Sequence, residues 1–252
     1  MNNQESYLYG ILLADGNLSL ASRNRGRVTL ELQEEDLSLL QKIHNLYPKS
    51  KLSSRTRDTN FKQNYKSVRW SNYQLDFRQW LIESGFPVKE KARNARLPTV
   101  KYSQKDFWRG FLDGDGSLGF KKDGTPIVSL ITISEQIKEA YLDFLLKEYG
   151  LRKQSSRNKR DNAYNIMISG EDAVRLVNDL WYENCLSLDR KYKIAQKIKK
   201  WTRPTNLRAK SHPKRWTPEE DNFILSHSIE DSIKVLQRTK SSIQVRLWRL
   251  SK

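Results

Sequence analysis

Two aspartates that lie 100 residues apart are the side chains of this sequence best placed to do chemistry. Asp15 and Asp115 end two stretches of related sequence, residues 7–18 and 107–118. Each stretch is almost wholly apolar up to its acidic end, and a helix that is apolar all round must be buried on every side. The repeat therefore predicts two buried helices, each with a carboxylate at its C-terminal end.

Small residues spaced four apart indicate how these helices pack. Gly10 with Ala14, and Gly110 with Gly114, lie on one face of each predicted helix. Small residues on a shared face allow two helix backbones to approach closely. The pattern therefore predicts that the two helices pack on each other.

The residues that follow the aspartates predict where the helices end. Gly16 and Gly116 suit the left-handed conformation that terminates many helices. If the helices are parallel, Asp15 and Asp115 meet at one end, where they repel each other and face the negative ends of both dipoles. A divalent cation would offset that cost, and Mg²⁺ is typically held by one or two carboxylates.

The two repeated segments, Gly10–Gly16 and Gly110–Gly116, resemble the signature of LAGLIDADG homing endonucleases in their single-chain, two-motif form. The resemblance covers roughly residues 1–200. It implies an α+β fold of two pseudo-symmetric αββαββα halves whose sheets form a saddle over the DNA major groove. It also implies a monomer with internal pseudo-dimer symmetry that binds a long specific site in double-stranded DNA. With divalent metal, such a protein hydrolyses both strands and leaves 5′ phosphates and 3′ overhangs.

The resemblance also implies which groups hold the metal. They are the last acid of each motif and the carbonyl before it, namely Asp15, Asp115, Ala14 and Gly114. The ion is Mg²⁺ or Mn²⁺, with Ca²⁺ as a non-catalytic substitute. An earlier acid of the motif is kept as Asp113 but replaced by Leu13, and we interpret this position as packing or helix capping.

Other catalytic groups follow from the same resemblance. A polar residue that helps to place the attacking water falls on Gln33 in the first half and on Ser134 or Glu135 in the second. The basic residue expected just before the last helix of each half is missing at Tyr73-Gln74 and at Gly170-Glu171. Lys121, Lys122 or an arginine is the expected replacement. The candidate catalytic set besides the aspartates is therefore Gln33, Gln74, Ser134 and Lys122.

Hydrophobic periodicity predicts the same order of elements after each motif. In the first half these are 18–23, 27–33, 36–46, 51–57, 66–71 and 75–84. In the second half they are 118–122, 127–134, 136–149, 153–157, 163–169 and 171–180, followed by a basic helix at 187–201.

Alternation along the predicted strands separates a core face from an outward face. Val28, Leu30 and Leu32 would face the core, so the residues between them face solvent. A two-stranded ribbon fits the major groove, where polar side chains read bases and flanking Lys and Arg hold phosphates. The predicted DNA contacts are Arg23, Arg25, Arg27, Thr29, Glu31, Lys51, Arg55, Arg57, Arg69, Lys121, Lys153, Arg157, Lys159 and Arg160.

Composition agrees with a polyanionic partner. The 252 residues hold 46 Lys and Arg against 29 Asp and Glu, and this net charge of +17 is spread along the chain. One cysteine cannot form an internal disulfide or a Cys-cluster zinc site, and no long apolar run or signal peptide is present. We therefore expect a cytoplasmic protein that does not insert in membranes.

The last 50 residues predict an appended helical module. Residues 202–213 form a basic linker, and Thr217 and Ser241 begin two capping boxes. Three short helices with core aromatics Trp216 and Trp248 resemble a Myb/SANT helix-turn-helix. Its predicted DNA contacts are Lys240, Gln244 and Arg246. A protein-contact module is the alternative.

The predicted domains are 1–100, 101–201, the linker 202–213 and the module 214–252. Two rival functions share the fold family. Intron maturases bind structured RNA, and catalytically inactive relatives act as DNA-binding regulators. Retention of both Asp15 and Asp115 favours a nuclease, because metal chemistry gives a reason to keep a repulsive pair.

Overall fold

A computed structural model describes residues 1–58, 63–204 and 216–251. The chain divides into two compact units, Met1–Arg203 and Pro204–Lys252. Among the described residues, no helix is long and apolar enough to cross a bilayer. Most of the linker predicted at 202–213 lies outside the described residues.

The first unit contains two similar sets of helices and strands. In the first half these are α1 (Asn3–Asp15), β1 (Gly16–Leu20), β2 (Gly26–Gln33), α2 (Leu37–Leu46), β3 (Lys51–Arg57), β4 (Tyr65–Asn72), α3 (Leu75–Glu83) and α4 (Lys91–Asn94). In the second half they are α5 (Gln104–Asp115), β5 (Gly116–Phe120), β6 (Pro126–Thr132), α6 (Glu135–Tyr149), β7 (Tyr164–Ser169), α7 (Glu171–Leu180) and α8 (Asp189–Lys199).

The α1 and α5 helices pack side by side in parallel, as the repeated glycines predict. A Cβ added at Gly10 would strike Phe107 O and lie 2.9 Å from Phe111 N. One added at Gly110 would strike Tyr7 O and lie 3.0 Å from Ile11 N. Real Cβ atoms do not approach backbone this closely, so the helix interface requires glycine at both positions.

The two glycines that end these helices are needed for space and not for a left-handed backbone. Gly16 has φ −76° and Gly116 has φ −99°, both extended, so the predicted left-handed cap is wrong. A Cβ at Gly16 would lie 2.6 Å from Leu12 O, and one at Gly116 would lie 2.5 Å from Leu112 O. The chain turns straight from helix to strand, which brings each strand start against the last helical turn.

The strands form two antiparallel sheets, one in each half. The first has the order β1-β2-β4-β3 and the second the order β5-β6-β7. Gly16 pairs with Leu30 and Gly116 with Leu130, so the β1–β2 and β5–β6 pairs have the same register at an offset of 100 residues.

The predicted strand 153–157 is wrong within the described residues. Only Arg157 forms an isolated bridge, to Tyr164, so the second half lacks one strand of the αββαββα pattern. Residues 153–157 are Lys-Gln-Ser-Ser-Arg and offer no apolar side chain to the core. A strand with nothing to bury on either face gains little from pairing.

The core lies between the sheets and the helices that cover them. Val28, Leu30 and Leu32 are buried as the alternation predicts. Trp70, Trp108 and Trp181 are also fully buried and serve packing. The parallel α1–α5 pair is part of this continuous core, which therefore joins both halves.

The second unit contains α9 (Pro218–Ser226), α10 (Ile229–Leu236) and α11 (Lys240–Leu250). Thr217 and Glu220 form the predicted capping box. The box predicted at Ser241 is wrong, because Thr239 has the extended cap conformation and its side chain accepts from Ser242 N. Trp248 is 58% exposed, so the prediction that it is a core residue is wrong.

Candidate active site

The two motif aspartates meet where α1 and α5 end. A Cβ added at Gly114 would lie 3.1 Å from Asp15 Oδ2, so this carboxylate reaches across to the neighbouring helix. Asp15 and Asp115 remain accessible to solvent. The parallel packing therefore places two acids together on an open edge of the helix pair.

Partial burial raises the pKa of both acids, and repulsion by the Asp15 charge adds to the rise at Asp115. Burial and then the Asp15 charge raise the pKa of Asp115 to about 6. Burial also raises the pKa of Asp15, although Lys91, Lys191 and Arg190 act in the opposite direction. Protonation of Asp115 would therefore compete with a cation at this site in mildly acidic solution.

Two lysines cap the same helix ends. Lys91 Nζ donates to Ala14 O, to Gly16 O at 2.7 Å and to Leu12 O at 3.3 Å. Cations at helix C-termini satisfy carbonyls that have no partner within the helix and offset the negative end of the dipole.

The second lysine repeats this arrangement in the other half. Lys191 Nζ donates to Leu112 O at 2.7 Å, to Asp113 O at 2.6 Å and to Gly116 O at 2.8 Å. Burial lowers the pKa of Lys191 to about 8, while Asp113, Asp15 and Asp115 act to raise it. Lys91 is likewise lowered in pKa by burial.

Sequence reasoning missed these lysines because it searched the wrong elements. The basic residues were expected just before α3 and α7, whereas Lys91 begins α4 and Lys191 lies in α8. Both follow their motif aspartate by the same 76 residues. The offset of 100 residues that pairs the motifs also pairs the lysines, and it was the available signal.

The α8 helix is held against the first half by charged contacts. Arg190 Nε donates to both carboxylate oxygens of Asp36 at 3.2 Å. Asp189 accepts from Ser38 Oγ at 2.6 Å and from Lys42 Nζ at 3.1 Å. These contacts fix the helix that carries Lys191 beside the aspartates.

Asp113 has the packing role that the sequence suggests. Its Oδ2 accepts from Tyr7 OH at 2.8 Å and from Leu188 N at 2.9 Å, and the side chain is fully buried. Burial raises its pKa to about 6. Asp113 therefore ties α1 to the chain before α8, and Leu13, at the matching position in α1, is buried without such a bond.

The donor set at the paired helix ends suits a hard divalent cation. Two carboxylates stand beside terminal helix carbonyls, and oxygen donors are what Mg²⁺, Mn²⁺ and Ca²⁺ prefer. In the described part of the chain, no group of three or more His, Cys, Asp or Glu forms an alternative metal site. Ala14 O already accepts from Lys91, so this carbonyl would have to serve a cation with its remaining lone pair.

Three of the other predicted catalytic residues lie elsewhere. Ser134 is fully buried as the N-cap of α6, and its hydroxyl donates to Ala95 O at 2.6 Å. Gln74 follows β4 at the Gly26 end of β2, away from Gly16. Lys122 lies beyond the far end of β5, a strand about 17 Å long. Gln33 is exposed at the end of β2 and stays a prediction.

The walls beside the two aspartates differ. A cavity of about 300 Å³ adjoins Asp115 and is lined by Ile131, Thr132 and Ile133. At an offset of 100 residues the first half has Glu31, Leu32 and Gln33. The second half therefore presents an apolar wall where the first presents polar side chains.

Three arginines on the first sheet converge on one glutamate. Glu31 accepts from Arg69 Nη2 at 2.6 Å and Arg55 Nη1 at 3.2 Å, and Arg57 Nη2 lies 3.6 Å away. Ser67 and Arg69 hold the pKa of Glu31 below its usual range against the effect of burial. Lys51, Arg55 and Arg57 are exposed along β3, whereas Thr29 is buried in β2 and presents little surface.

The remaining predicted contacts lie mostly in turns. Arg23 and Arg25 are exposed in the β1–β2 turn and not on the first strand, since Arg23 has φ 56°. In the second half Lys121, Lys159 and Arg160 are exposed, Lys153 is half-buried, and Arg157 lies 4.5 Å from the ring of Tyr164. The contacts of these residues with DNA stay predictions.

The described helices of the second unit carry no net charge. Residues 216–251 contain five basic and five acidic side chains. Arg246, a predicted DNA contact, pairs with Asp221 Oδ2 at 2.5 Å, because α9 and α11 bring the two side chains together. Lys240 and Gln244 are exposed.

Comparison with known proteins supports the resemblance stated from the motifs. Residues 103–181 match the family model for the LAGLIDADG-like domain. The homing endonuclease I-WcaI bound to its DNA recognition sequence has a TM-score of 0.55 and 16% identity, with 78% of this chain and 85% of that chain covered. A point mutant of I-SmaMI has a TM-score of 0.50 and 10% identity, with 77% and 89% covered. No curated protein matches the sequence. The chain thus contains a LAGLIDADG-like domain and has the fold of the LAGLIDADG homing endonucleases.

Proposed function

We propose that this protein is a site-specific double-strand DNA endonuclease that acts as a monomer with divalent metal, Mg²⁺ in the first place. The observation that carries the proposal is the meeting of Asp15 and Asp115 at the paired ends of α1 and α5, with Lys91 and Lys191 beside them. The solved neighbour I-WcaI is a homing endonuclease bound to its DNA recognition sequence and has the same fold.

The residues divide the work of phosphodiester hydrolysis between them. Asp15 and Asp115 would hold the metal, which supplies positive charge to stabilise the charge that develops on phosphate oxygens. The Lys91 and Lys191 ammonium groups add positive charge at the same edge and keep the helix ends neutralised. The exposed basic residues of β3 and the hairpin turns would bind the duplex. Hydrolysis would leave 5′ phosphates and 3′ overhangs at the cut.

Cleavage of a randomised duplex library in Mg²⁺ tests the proposal. The unaltered protein should enrich one long cut site, and EDTA, Asp15→Asn and Asp115→Asn should each abolish cutting. Asp143→Asn is the matched control, because this exposed acid lies on α6 and, among the described residues, forms an ion pair with Lys147 alone.

Binding of the same library separates the proposal from its rivals. The two aspartate variants should keep salt-dependent duplex binding, since they remove only cation ligands. Tight duplex binding with no cutting by the unaltered protein under any divalent ion would contradict the nuclease and favour an inactive regulator. Preference for structured RNA over duplex would favour a maturase.

A further inference from the structure

A cleft at the β1–β2 turn has no role in the site described above. It has a volume of about 470 Å³. Its lining is polar and basic, without an acidic side chain, and consists of Ser19, Asn24, Arg25, Gly26, Arg27, Tyr73 and Arg78. Three arginines therefore share one cleft with no counter-charge in its walls.

Arg78 is the unusual member of this group. Arg78 is only 2% exposed to solvent. The guanidinium donates to Gly26 O at 3.1 Å and to the carbonyls of Tyr73 and Asn24. Within residues 1–58, 63–204 and 216–251 it forms no ion pair, and its Nε–H has no acceptor. A buried charge of this kind is costly unless an anion compensates it.

The backbone around Arg78 holds the cleft open. Gly26 has φ +151°, and a Cβ there would strike Ser19 O and lie 3.3 Å from Arg78 Nε. Arg23 and Asn24 both have φ 56°, in the left-handed region that non-glycine residues rarely adopt. Because the guanidinium donates to two carbonyls of this turn and to Tyr73 O after β4, it fixes the turn against the end of β4.

We propose that this cleft binds one backbone phosphate of the duplex, with Arg25, Arg27 and Arg78 as its ligands. The proposal rests on the proposed function and deepens it. An arginine with a free Nε–H can form charge-assisted hydrogen bonds to a phosphate oxygen, and two neighbouring arginines add to the attraction. The Ser19 and Tyr73 hydroxyls supply further donors at the same cleft.

Among the described residues, the second half lacks the arginines that line this cleft. Arg25 and Arg27 correspond to Thr125 and Ile127 at an offset of 100 residues. Val28 pairs with Asn72 and Val128 with Ile168, so the offset falls to 96 in the next strand, and Tyr73 and Arg78 correspond to Ser169 and Val174. The phosphate contact therefore belongs to one flank of the DNA target. Five residues of β1 separate the cleft from Asp15, about 17 Å or roughly five base-pair steps.

A phosphate-neutralisation scan of the cognate duplex tests the cleft. Single methylphosphonates would be placed along each flank, and binding measured in Ca²⁺ for the unaltered protein and for Arg27→Gln. One phosphate on one flank should cost about tenfold in affinity for the unaltered protein and almost nothing for Arg27→Gln. The variant should also lower the salt slope by about 0.9, the value for one phosphate contact.

Lys121→Gln is the matched control, because Lys121 is exposed at the equivalent turn of the second half. It should leave the phosphate that couples to Arg27 fully sensitive. If the duplex binds tightly but Arg27→Gln and the methylphosphonates lower the affinity independently at every position, the cleft does not bind a phosphate. The proposed function would still stand. Absence of duplex binding by the unaltered protein would overturn both, so the two failures are distinguishable.

Discussion

The acids and lysines at the ends of α1 and α5 depend on each other for their charge. Asp15 and Asp115 are crowded enough to repel, and each lysine is buried enough to favour its neutral form. Each lysine therefore helps to keep an acid ionised, and each acid helps to keep a lysine protonated. Changes in pH act on the whole group.

The raised pKa of Asp115 predicts pH-dependent cation binding. Below its pKa of about 6 the carboxyl is protonated and cannot act as an anionic ligand. The affinity for Mg²⁺ should therefore fall about tenfold between pH 7 and pH 5. Calorimetric titration of Mg²⁺ without DNA would measure this, with Asp115→Asn as the control that loses the dependence. Equal affinity at pH 5 and pH 7 would contradict the assignment.

The lowered pKa of Lys191 predicts loss of activity on the alkaline side. The ammonium is charged below about 8 and becomes neutral above it, so the charge that it contributes is lost as pH rises. Lys191→Met should lower the single-turnover cleavage rate by about 100-fold or more while duplex binding in Ca²⁺ persists. Lys193→Met, an exposed change on the same helix, is the control. A cleavage rate unchanged by Lys191→Met would rule out this role.

The residues of the site differ in how far sequence could predict them. The two aspartates are visible because they end a repeated motif, and the packing of Asp113 follows from the same segment. The lysines act through helix carbonyls 75 or more residues away, and only the repeat offset points to them. The contact of Arg190 with Asp36 joins the two halves of the chain and has no local signal at all.

Among elements, the α1–α5 interface permits the sharpest test of the fold. Gly110→Ala should destabilise the first unit by about 3 kcal/mol or more, because its Cβ would overlap the backbone of α1. Gly119→Ala is the control, since nothing lies within 4 Å of its added Cβ. Urea unfolding followed by Trp fluorescence measures both. Equal stability of the two variants would mean that the helices do not pack this closely.

Element boundaries were predictable where a segment packs at least one apolar side chain on the core, as β3 does with Leu52, and not where it has none. The predicted strand 51–57 and helix 171–180 have the observed bounds. The failed strand at 153–157 has strand-like spacing of polar residues but nothing to bury. The cap at Thr239 was misplaced by two residues, because Ser241 also satisfies the sequence pattern.

The different walls beside Asp15 and Asp115 predict unequal cutting of the two strands. Ile131 and Ile133 cannot hydrogen-bond water beside Asp115, whereas Gln33 lies at the equivalent place in the first half. A plasmid with one site should therefore accumulate as nicked circle before it becomes linear. Ile133→Gln, just after β6, should shorten the nicked phase, and Ile127→Gln, near the start of β6 and farther from Asp115, should not. Linear product without a nicked intermediate would contradict this inequality.

At the scale of the whole molecule, positive charge is spread through the first unit but is concentrated in the first part of the second unit. Residues 1–203 carry +12, and residues 205–215 carry four basic and no acidic side chains. The described helices of the second unit, residues 216–251, have no net charge. Electrostatic attraction to DNA should therefore come from the first unit and the connecting segment.

Removal and neutralisation of these parts would show which of them binds DNA. A chain that ends at Arg203 keeps all of the first unit and should still cut, with weaker binding at physiological salt. Replacing Arg208, Lys210, Lys214 and Arg215 by glutamine in the full chain should reproduce most of that loss and lower the salt slope by about 3 to 4. Lys240→Gln with Gln244→Ala, on α11, should change affinity by less than about threefold. If this pair of changes instead costs more than the four in the connecting segment, α11 reads DNA as a recognition helix. The Myb/SANT resemblance would then outweigh the charge balance of the second unit.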